Sequence, residues 1–175
     1  MKTTGVVRRI DDLGRVVIPK EIRKTLRIKD GESVEIFLDS GNIVLKKYHP
    51  LEGVPSFYKE YVESIHSEIG SNVFIVDRDK IVAVSGDFKK NYLDKNISSE
   101  LDVIIQKRTI HYCVDFTDIS LIDGVVESAS YVISPIICNG DAIGAVIILS
   151  TERAIDEFII KIGIIASKFL GKYVE

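Results

Sequence analysis

The sequence predicts an α+β protein with two domains, and three observations lead to this prediction. The first 47 of the 175 residues carry 11 basic and 7 acidic side chains, whereas the remainder carries 12 and 19, so a basic unit precedes an acidic one. Prolines and a glycine interrupt the chain between residues 49 and 56. Beyond them, apolar residues follow strand and helix spacing in turn. We therefore expect a domain at 1–50, a linker at 51–56 and a larger domain at 57–175.

The N-terminal domain is predicted to contain four short strands and one short helix. β-branched runs flank a turn at residues 11–14, and Pro19 suits the first turn of a helix. A second hairpin turns at residues 39–42, between strands of alternating polarity. The predicted elements are strands 4–9, 15–18, 33–38 and 43–48 and helix 19–27. Because so small a unit buries little apolar surface alone, we expect it to fold as a dimer.

The C-terminal domain is predicted to alternate helices with hairpins. Its clearest hairpin turns at Asn139-Gly140, a dipeptide that favours a tight two-residue turn. Gly70 is a suitable end for the first helix of the domain. The predicted elements are helix 57–69, strands 72–77 and 80–85, helix 98–106, strand 111–116, strands 131–138 and 141–149, and helix 152–173.

The last predicted helix carries apolar residues at a spacing typical of helix–helix association. Positions seven residues apart repeat along it, with further apolar residues between them. One face is expected to pack on the sheet of its own domain, and the rest to associate with another copy, together with helix 57–69. The predicted oligomerisation residues are Ile155, Phe158, Ile162, Ile165 and Phe169.

Basic side chains concentrate in the first strand, turn and helix, and they predict attraction to a polyanion. They are Arg8, Arg9, Arg15, Lys20, Arg23, Lys24 and Arg27. Arginine can grip a phosphate or a guanine edge at two points, and each neutralised phosphate releases a counterion. No aromatic residue interleaves with the cluster, so stacking on single-stranded bases has little support. The preferred partner is therefore double-stranded DNA.

The motif Asp11-Asp-Leu-Gly-Arg-Val-Val-Ile-Pro19, with its flanking residues from Gly5 to Leu26, resembles the AbrB family of bacterial transition-state regulators. The resemblance continues through Asp30-Gly31 to residues 43–48. It implies a dimeric β-barrel of interleaved, swapped hairpins, and a regulator of sporulation or stationary-phase genes. The positions that match the DNA-contacting residues of that family are Arg8, Arg9, Arg15, Arg23 and Lys24.

Residues 54–175 resemble a small GAF domain, with a helix, a hairpin, a helical connection, a hairpin and a long terminal helix. The resemblance implies an α/β/α fold that binds a small-molecule effector or assembles a larger oligomer. A dimer formed through the N-terminal domains and joined through the C-terminal helices would be a tetramer. No set of residues indicates which effector would bind. The acidic residues between 87 and 127 could line a pocket, but such residues are equally expected on an ordinary protein surface.

Composition restricts the remaining functions. The chain has no apolar run of signal-peptide or membrane-spanning length, so we expect a cytoplasmic, nucleoid-associated protein with no membrane partner. The two cysteines, Cys113 and Cys138, form no disulfide framework, and the three histidines show no metal-ligand spacing. No nucleotide-binding fingerprint is present. We expect no metal, no cofactor and no enzymatic activity.

Two alternative functions remain open. His111, Cys113 and Asp115 would share one face of a strand, and some GAF-like proteins reduce oxidised methionine through cysteines. The first alternative is therefore a redox enzyme that uses Cys113 and Cys138. The second alternative is an antitoxin, because the same type of N-terminal domain also occurs in antitoxins that repress their own genes. Antitoxin tails are usually disordered, however, whereas this tail is rich in patterned Ile and Val.

Overall fold

The computed structural model describes residues 5–31, 33–48, 51 and 55–174, and the chain divides into two compact units at residues 48 and 49. Of the predicted linker at 51–56, residues 52–54 lie outside the described residues. Pro55 already belongs to a helix, so helical structure begins inside the segment predicted as a linker.

The described part of the N-terminal unit contains one helix and one hairpin: α1 (Lys20–Thr25), β1 (Val34–Asp39) and β2 (Asn42–Lys47). The two strands pair antiparallel, with Ile36 opposite Leu45. Ser40 and Gly41 have φ of 48° and 83°, the left-handed values that the tight hairpin turn requires. This hairpin and the short helix confirm the corresponding predictions.

Residues 5–18 form no strand, so the strands predicted at 15–18 and over the described part of 4–9 are absent from this chain. Residue 4 lies outside the described residues. A β-strand is stable only with a hydrogen-bonded neighbour, and neither β1 nor β2 pairs with this segment. The β propensity of the segment is therefore unused within a single copy.

The C-terminal unit is built on a five-stranded antiparallel sheet in the order β4-β3-β7-β6-β5. The longest pairing joins β6 to β7 through the turn at Asn139 and Gly140, whose φ values are 49° and 83°. The elements are α2 (Pro55–Ile69), β3 (Asn72–Asp77), β4 (Ile81–Ser85), α3 (Lys89–Tyr92), α4 (Ser99–Gln106), β5 (His111–Ile119), β6 (Glu127–Cys138), β7 (Asp141–Ser150) and α5 (Glu157–Tyr173).

Each face of this sheet carries its own hydrophobic core. One face packs against α3 and α4 around Phe74, Leu101 and Ile147, and the other packs against α2 and α5 around Val62 and Ile148. Because β3, β6 and β7 contribute to both cores, most of their side chains are buried on both faces. The unit is thus a three-layer α/β/α structure.

The last helix begins at Glu157, five residues after the start predicted from apolar spacing. Asp156 has extended backbone, and its Oδ1 accepts a hydrogen bond from Ile159 N at 2.9 Å, which is N-capping geometry. The apolar pattern continues upstream of this cap because Ile155 is part of the core. The four-residue helix α3 was not predicted, since a single turn has no apolar periodicity.

Candidate nucleic-acid interface

The turn between residues 11 and 15 is closed by the carboxylate of Asp11. Its Oδ1 accepts hydrogen bonds from Leu13 N at 3.1 Å and Arg15 N at 2.7 Å. The main chain adds bonds from Asp11 N to Arg15 O and from Gly14 N to Asp11 O, and Gly14 has the positive φ of 78° that this turn requires. The turn is therefore defined by its own residues, without support from a core.

The same carboxylate binds the side chain of Arg15. Asp11 Oδ2 accepts a hydrogen bond from Arg15 Nε at 2.7 Å, while the arginine side chain remains 72% exposed. The backbone N–H of Arg15 and then its side chain lower the pKa of Asp11. Desolvation opposes them with a smaller effect, and the hydrogen bond from Leu13 N lowers the pKa slightly further. The carboxylate thus stays ionised and paired at neutral pH.

Helix α1 carries a second arginine–carboxylate pair. Arg23 Nη1 donates to Asp30 Oδ1 at 2.7 Å, and Asp30 itself is 96% exposed. Arg23 is half-buried, and its Nε is buried without a hydrogen-bond partner. Because a buried unpaired donor is costly, this arginine is held less favourably than Arg15.

The five predicted DNA-contacting residues lie in two stretches of the N-terminal unit. Arg8 and Arg9 precede the turn, Arg15 ends it, and Arg23 and Lys24 lie on α1. All of them except Arg23 are exposed. The carboxylates that bind Arg15 and Arg23 were not predicted from the sequence. For Arg15, an aspartate four residues earlier with a turn glycine between them was a usable signal.

Among its described residues, the N-terminal unit exposes most of its apolar side chains. Helix α1 buries none of its residues, and Lys47, whose ammonium donates to Arg27 O at 3.2 Å, is the buried residue among those described in this unit. Val7 and Leu38 are 91% and 85% exposed. Exposed apolar residues also include Val6, Ile10, Leu13, Val16, Val17, Leu26, Ile36, Phe37, Ile43 and Val44. A single copy therefore lacks a hydrophobic core in this unit.

Four aromatic rings join α2 to α5 on the surface of the C-terminal unit. Phe57 stacks on Tyr173 with ring centroids 4.5 Å apart, and Tyr61 stacks on Phe169 at 5.6 Å. Beside them lies a groove of about 400 Å³ whose lining includes Ile65 and the two α5 residues Phe158 and Ile162. We call the exposed surface formed by α2 and α5 the helical face.

Four of the five predicted oligomerisation residues lie on α5 and are exposed or half-buried. Phe158, Ile165 and Phe169 are 63%, 64% and 47% exposed, and Ile162 is half-buried. Ile155 differs, since it is 1% exposed and packs in the core before the helix begins. The prediction for Ile155 is therefore corrected: a side chain buried in its own unit cannot contact another copy.

A cluster of three aromatic side chains lies in the core on the α3–α4 face of the sheet. Phe74, Phe88 and Tyr92 contact one another with ring centroids 5.3 to 6.2 Å apart. The Tyr92 hydroxyl donates to Glu127 Oε1 at 2.7 Å. These groups pack so closely with Leu121 that no space able to hold a water molecule remains among them.

The two cysteines lie on opposite faces of the sheet. Cys113 packs with the α3–α4 core, whereas Cys138 packs with the α2–α5 core. Cys113 pairs across the ladder with Tyr131, which is seven residues from Cys138 along β6, or roughly 20 Å at the rise of a strand. Two cysteines so far apart do not meet the geometry of a disulfide within one chain.

Comparisons with known proteins identify both units. A family described as "Stage V sporulation protein T C-terminal, transcription factor" matches residues 54–175, and one described as "Antidote-toxin recognition MazE, bacterial antitoxin" matches residues 7–52. Stage V sporulation protein T of Bacillus subtilis strain 168 is 46% identical over 177 aligned residues, which cover 100% of this chain and 99% of the relative.

Two further likenesses cover one unit each. The transition state regulatory protein AbrB of the same strain is 56% identical over 50 residues, 29% of this chain and 52% of AbrB. The PixJ GAF domain of Thermosynechococcus elongatus, in its blue-light absorbing form, has a TM-score of 0.55 at 12% identity and covers 74% of this chain and 89% of its own. The AbrB resemblance and the GAF fold predicted from sequence are both confirmed.

An AbrB-type N-terminal unit followed by a GAF-fold unit defines a bacterial transcription factor. More specifically, the chain belongs to the family of stage V sporulation protein T, as the match over its whole length and the family match over residues 54–175 establish. Within the described residues, every helix is too short or too polar to cross a membrane.

Proposed function

We propose that the protein regulates sporulation or stationary-phase genes by binding double-stranded DNA through its N-terminal unit. The observation that carries this proposal is the exposed basic turn and helix. Arg15 is held at the end of a closed turn with most of its side chain exposed, and Lys24 lies on the surface of α1. Arg8 and Arg9 are further exposed cations for phosphates and base edges. Arg23, which pairs with Asp30 in the free chain, completes the predicted set.

The N-terminal units of two copies are proposed to form one swapped-hairpin barrel. The unpaired segment 5–18 and the exposed apolar residues of β1 and β2 support this, because each needs a neighbour that a single copy does not supply. A twofold dimer would supply both a strand partner and a core. It would also present two copies of the basic turn to one duplex.

The C-terminal unit is proposed to join two such dimers into a tetramer through its helical face. Phe158 and Ile165 are large apolar residues that remain exposed on α5, and the groove beside them is open to an incoming side chain. The close packing around Phe74 and Tyr92 favours assembly over small-molecule sensing as the role of this unit. An effector that bound between these rings would have to displace them.

We further propose a cytoplasmic, nucleoid-associated protein without enzymatic activity. A transcription-factor family and the separation of the two cysteines on opposite faces of the sheet both support this. The antitoxin alternative draws support from the family match over residues 7–52. It is the weaker proposal because the C-terminal unit has two folded cores of its own, whereas toxin-wrapping tails fold on their toxin.

The salt dependence of binding tests the proposed function on the full chain. Duplexes enriched from a random-sequence pool by the purified protein supply the DNA, and fluorescence anisotropy measures Kd between 50 and 300 mM KCl. The slope of log K against log salt should be roughly −0.9 for each phosphate contacted. A pool that shows no enrichment, or a binding constant independent of salt, would contradict DNA binding by this basic surface.

A further inference from the structure

Asp11 binds Arg15 in a way that leaves its phosphate- and base-reading groups available. The carboxylate takes the Nε–H at 2.7 Å, and in the described residues neither Nη group of Arg15 has a hydrogen-bond partner. A guanidinium grips a phosphate or a guanine edge in two places with parallel N–H groups. Holding Nε therefore fixes the plane of the group while both Nη nitrogens stay free.

The Asp11 carboxylate is itself fixed by the main chain. Its other oxygen accepts hydrogen bonds from Leu13 N and Arg15 N, so the side chain cannot rotate without opening the turn. A long, exposed arginine otherwise loses rotamer freedom when it binds, which weakens the affinity. In this turn part of that ordering is already present in the free protein.

The pair formed by Arg23 and Asp30 differs from this one. Asp30 occupies Nη1, one of the nitrogens that would contact DNA, and it is almost fully exposed. DNA must therefore replace Asp30 at Arg23, whereas it can bind Arg15 with Asp11 still in place. The two carboxylates are expected to have opposite effects on DNA affinity.

We propose that Asp11 is a positioning residue for DNA recognition, which holds the Arg15 guanidinium in the orientation that binds the duplex. This proposal rests on the proposed function of the N-terminal unit. It predicts a result that simple charge reasoning does not. Removing a negative charge beside a polyanion should tighten binding, but removing the Asp11 carboxylate should weaken it.

Asp11→Asn is the appropriate variant because its amide oxygen can still accept from Leu13 N and Arg15 N. Its amide nitrogen cannot accept from Arg15 Nε, so the turn is kept and the orientation of the guanidinium is lost. Asp12→Asn is the matched control. Asp12 is exposed and adjacent to Asp11, so this variant removes the same charge at the next position. Light scattering and circular dichroism of each full-chain variant confirm assembly and folding.

The experiment measures Kd for the duplex most enriched by the wild-type protein. Asp11→Asn should weaken binding roughly three- to tenfold, the range expected for losing the order of one long side chain. Asp12→Asn and Asp30→Asn should leave Kd unchanged or lower it. In an Arg15→Ala background, Asp11→Asn should have no further weakening effect, because its action passes through Arg15.

Three outcomes would overturn the proposal. These are an Asp11→Asn variant that binds as tightly as wild type, an equal weakening by Asp12→Asn, and a weakening that persists in the Arg15→Ala background. The Nε–H signal of Arg15 in ¹⁵N NMR of the free protein gives an independent readout. It should exchange slowly in wild type and rapidly in Asp11→Asn, and equal exchange rates would refute the ion pair even if DNA binding itself failed.

Discussion

The phenyl ring of Phe169 lies nearly parallel to the phenol ring of Tyr61, with centroids 5.6 Å apart and planes at 17°. The Tyr61 hydroxyl also donates to Ala166 O at 3.3 Å, so α2 and α5 are joined by both a stack and a hydrogen bond. Phe169 nevertheless remains 47% exposed. The contact within one copy therefore orders a ring whose outer side is available to another copy.

Phe169→Glu should lower the assembly state of the full chain without unfolding it. A carboxylate on the helical face would have to lose its hydration in any interface there, a cost of several kcal/mol for an unpaired buried charge. Multi-angle light scattering should then report a dimer, held by the N-terminal units, in place of a tetramer.

The control is Lys168→Glu, which places the same carboxylate at the neighbouring exposed position of α5 and changes the net charge more than Phe169→Glu does. It should keep the wild-type mass. If Phe169→Glu also keeps it, the helical face is not the surface that joins the dimers.

Gly171→Ala should destabilise the C-terminal unit, although alanine is normally the better helix former by about 1 kcal/mol. A Cβ at this position would lie 2.3 Å from the carbonyl oxygen of Ile137, which belongs to the sheet beneath the helix. Relieving this overlap requires α5 to move from the sheet, at a cost of about 1–3 kcal/mol. The melting temperature should fall, whereas the exposed neighbour Lys172→Ala should leave it nearly unchanged. A rise in melting temperature for Gly171→Ala would show that α5 is not seated this closely.

The elements that were predicted best are those whose signals are local. The turn at Asn139-Gly140 and the helix predicted over 98–106 follow from local residues. The structure adds the cap of that helix, since the Ser98 hydroxyl accepts from Leu101 N at 3.0 Å. The start of α5 was wrong because Ile155 is apolar for core packing and lies before the helix. Apolar spacing indicates which residues are buried, whether or not they are helical. The N-cap at Asp156 is the signal that places Ile155 before the helix.

The candidate site divides in the same way. The positions of Arg15 and Arg23 on a turn and a helix follow from the sequence, because Gly14 and Pro19 mark those elements. Which carboxylate binds which arginine depends on how the chain folds back, as Arg23 shows by pairing with Asp30 across seven residues. The strands predicted at 4–9 and 15–18 rest on β propensity alone, and residues 5–18 form no strand in one copy because β pairing needs a neighbour.

Tyr92→Phe should destabilise the C-terminal unit at neutral pH. Tyr92 is 2% exposed, and its hydroxyl is 2.7 Å from Glu127 Oε1, so the variant leaves the half-buried carboxylate without this donor. A lost hydrogen bond to a charged group costs about 1.5–3 kcal/mol. Chemical denaturation at pH 7 measures the change, and Tyr112→Phe on the exposed edge strand β5 should show none.

Tyr92 should also make the stability of the C-terminal unit depend on pH in the alkaline range. Burial, and then the hydrogen bond and charge of Glu127, raise the pKa of Tyr92 above its ordinary value of 10.0. A group with a raised pKa in the folded state stabilises fully below the unfolded value, and this contribution is lost as pH rises through the folded value. Stability should therefore decline above pH 10, and Tyr92→Phe should decline less steeply. Parallel declines for the two proteins would contradict a role for this phenol.

Asp11 should titrate below the ordinary aspartate pKa of 3.8, and the effect of Arg15→Ala should be only partial. The largest cause of the lowered pKa is the backbone N–H of residue 15, which the alanine variant keeps, while the side-chain hydrogen bond is lost. A lowered folded-state pKa means that the turn is stabilised above pH 3.8 and loses this support as pH falls through the folded value. Carboxyl ¹³C NMR should place the Asp11 midpoint of Arg15→Ala between that of wild type and 3.8. A wild-type midpoint at 3.8, or full recovery in the variant, would show that the main chain does not hold this carboxylate.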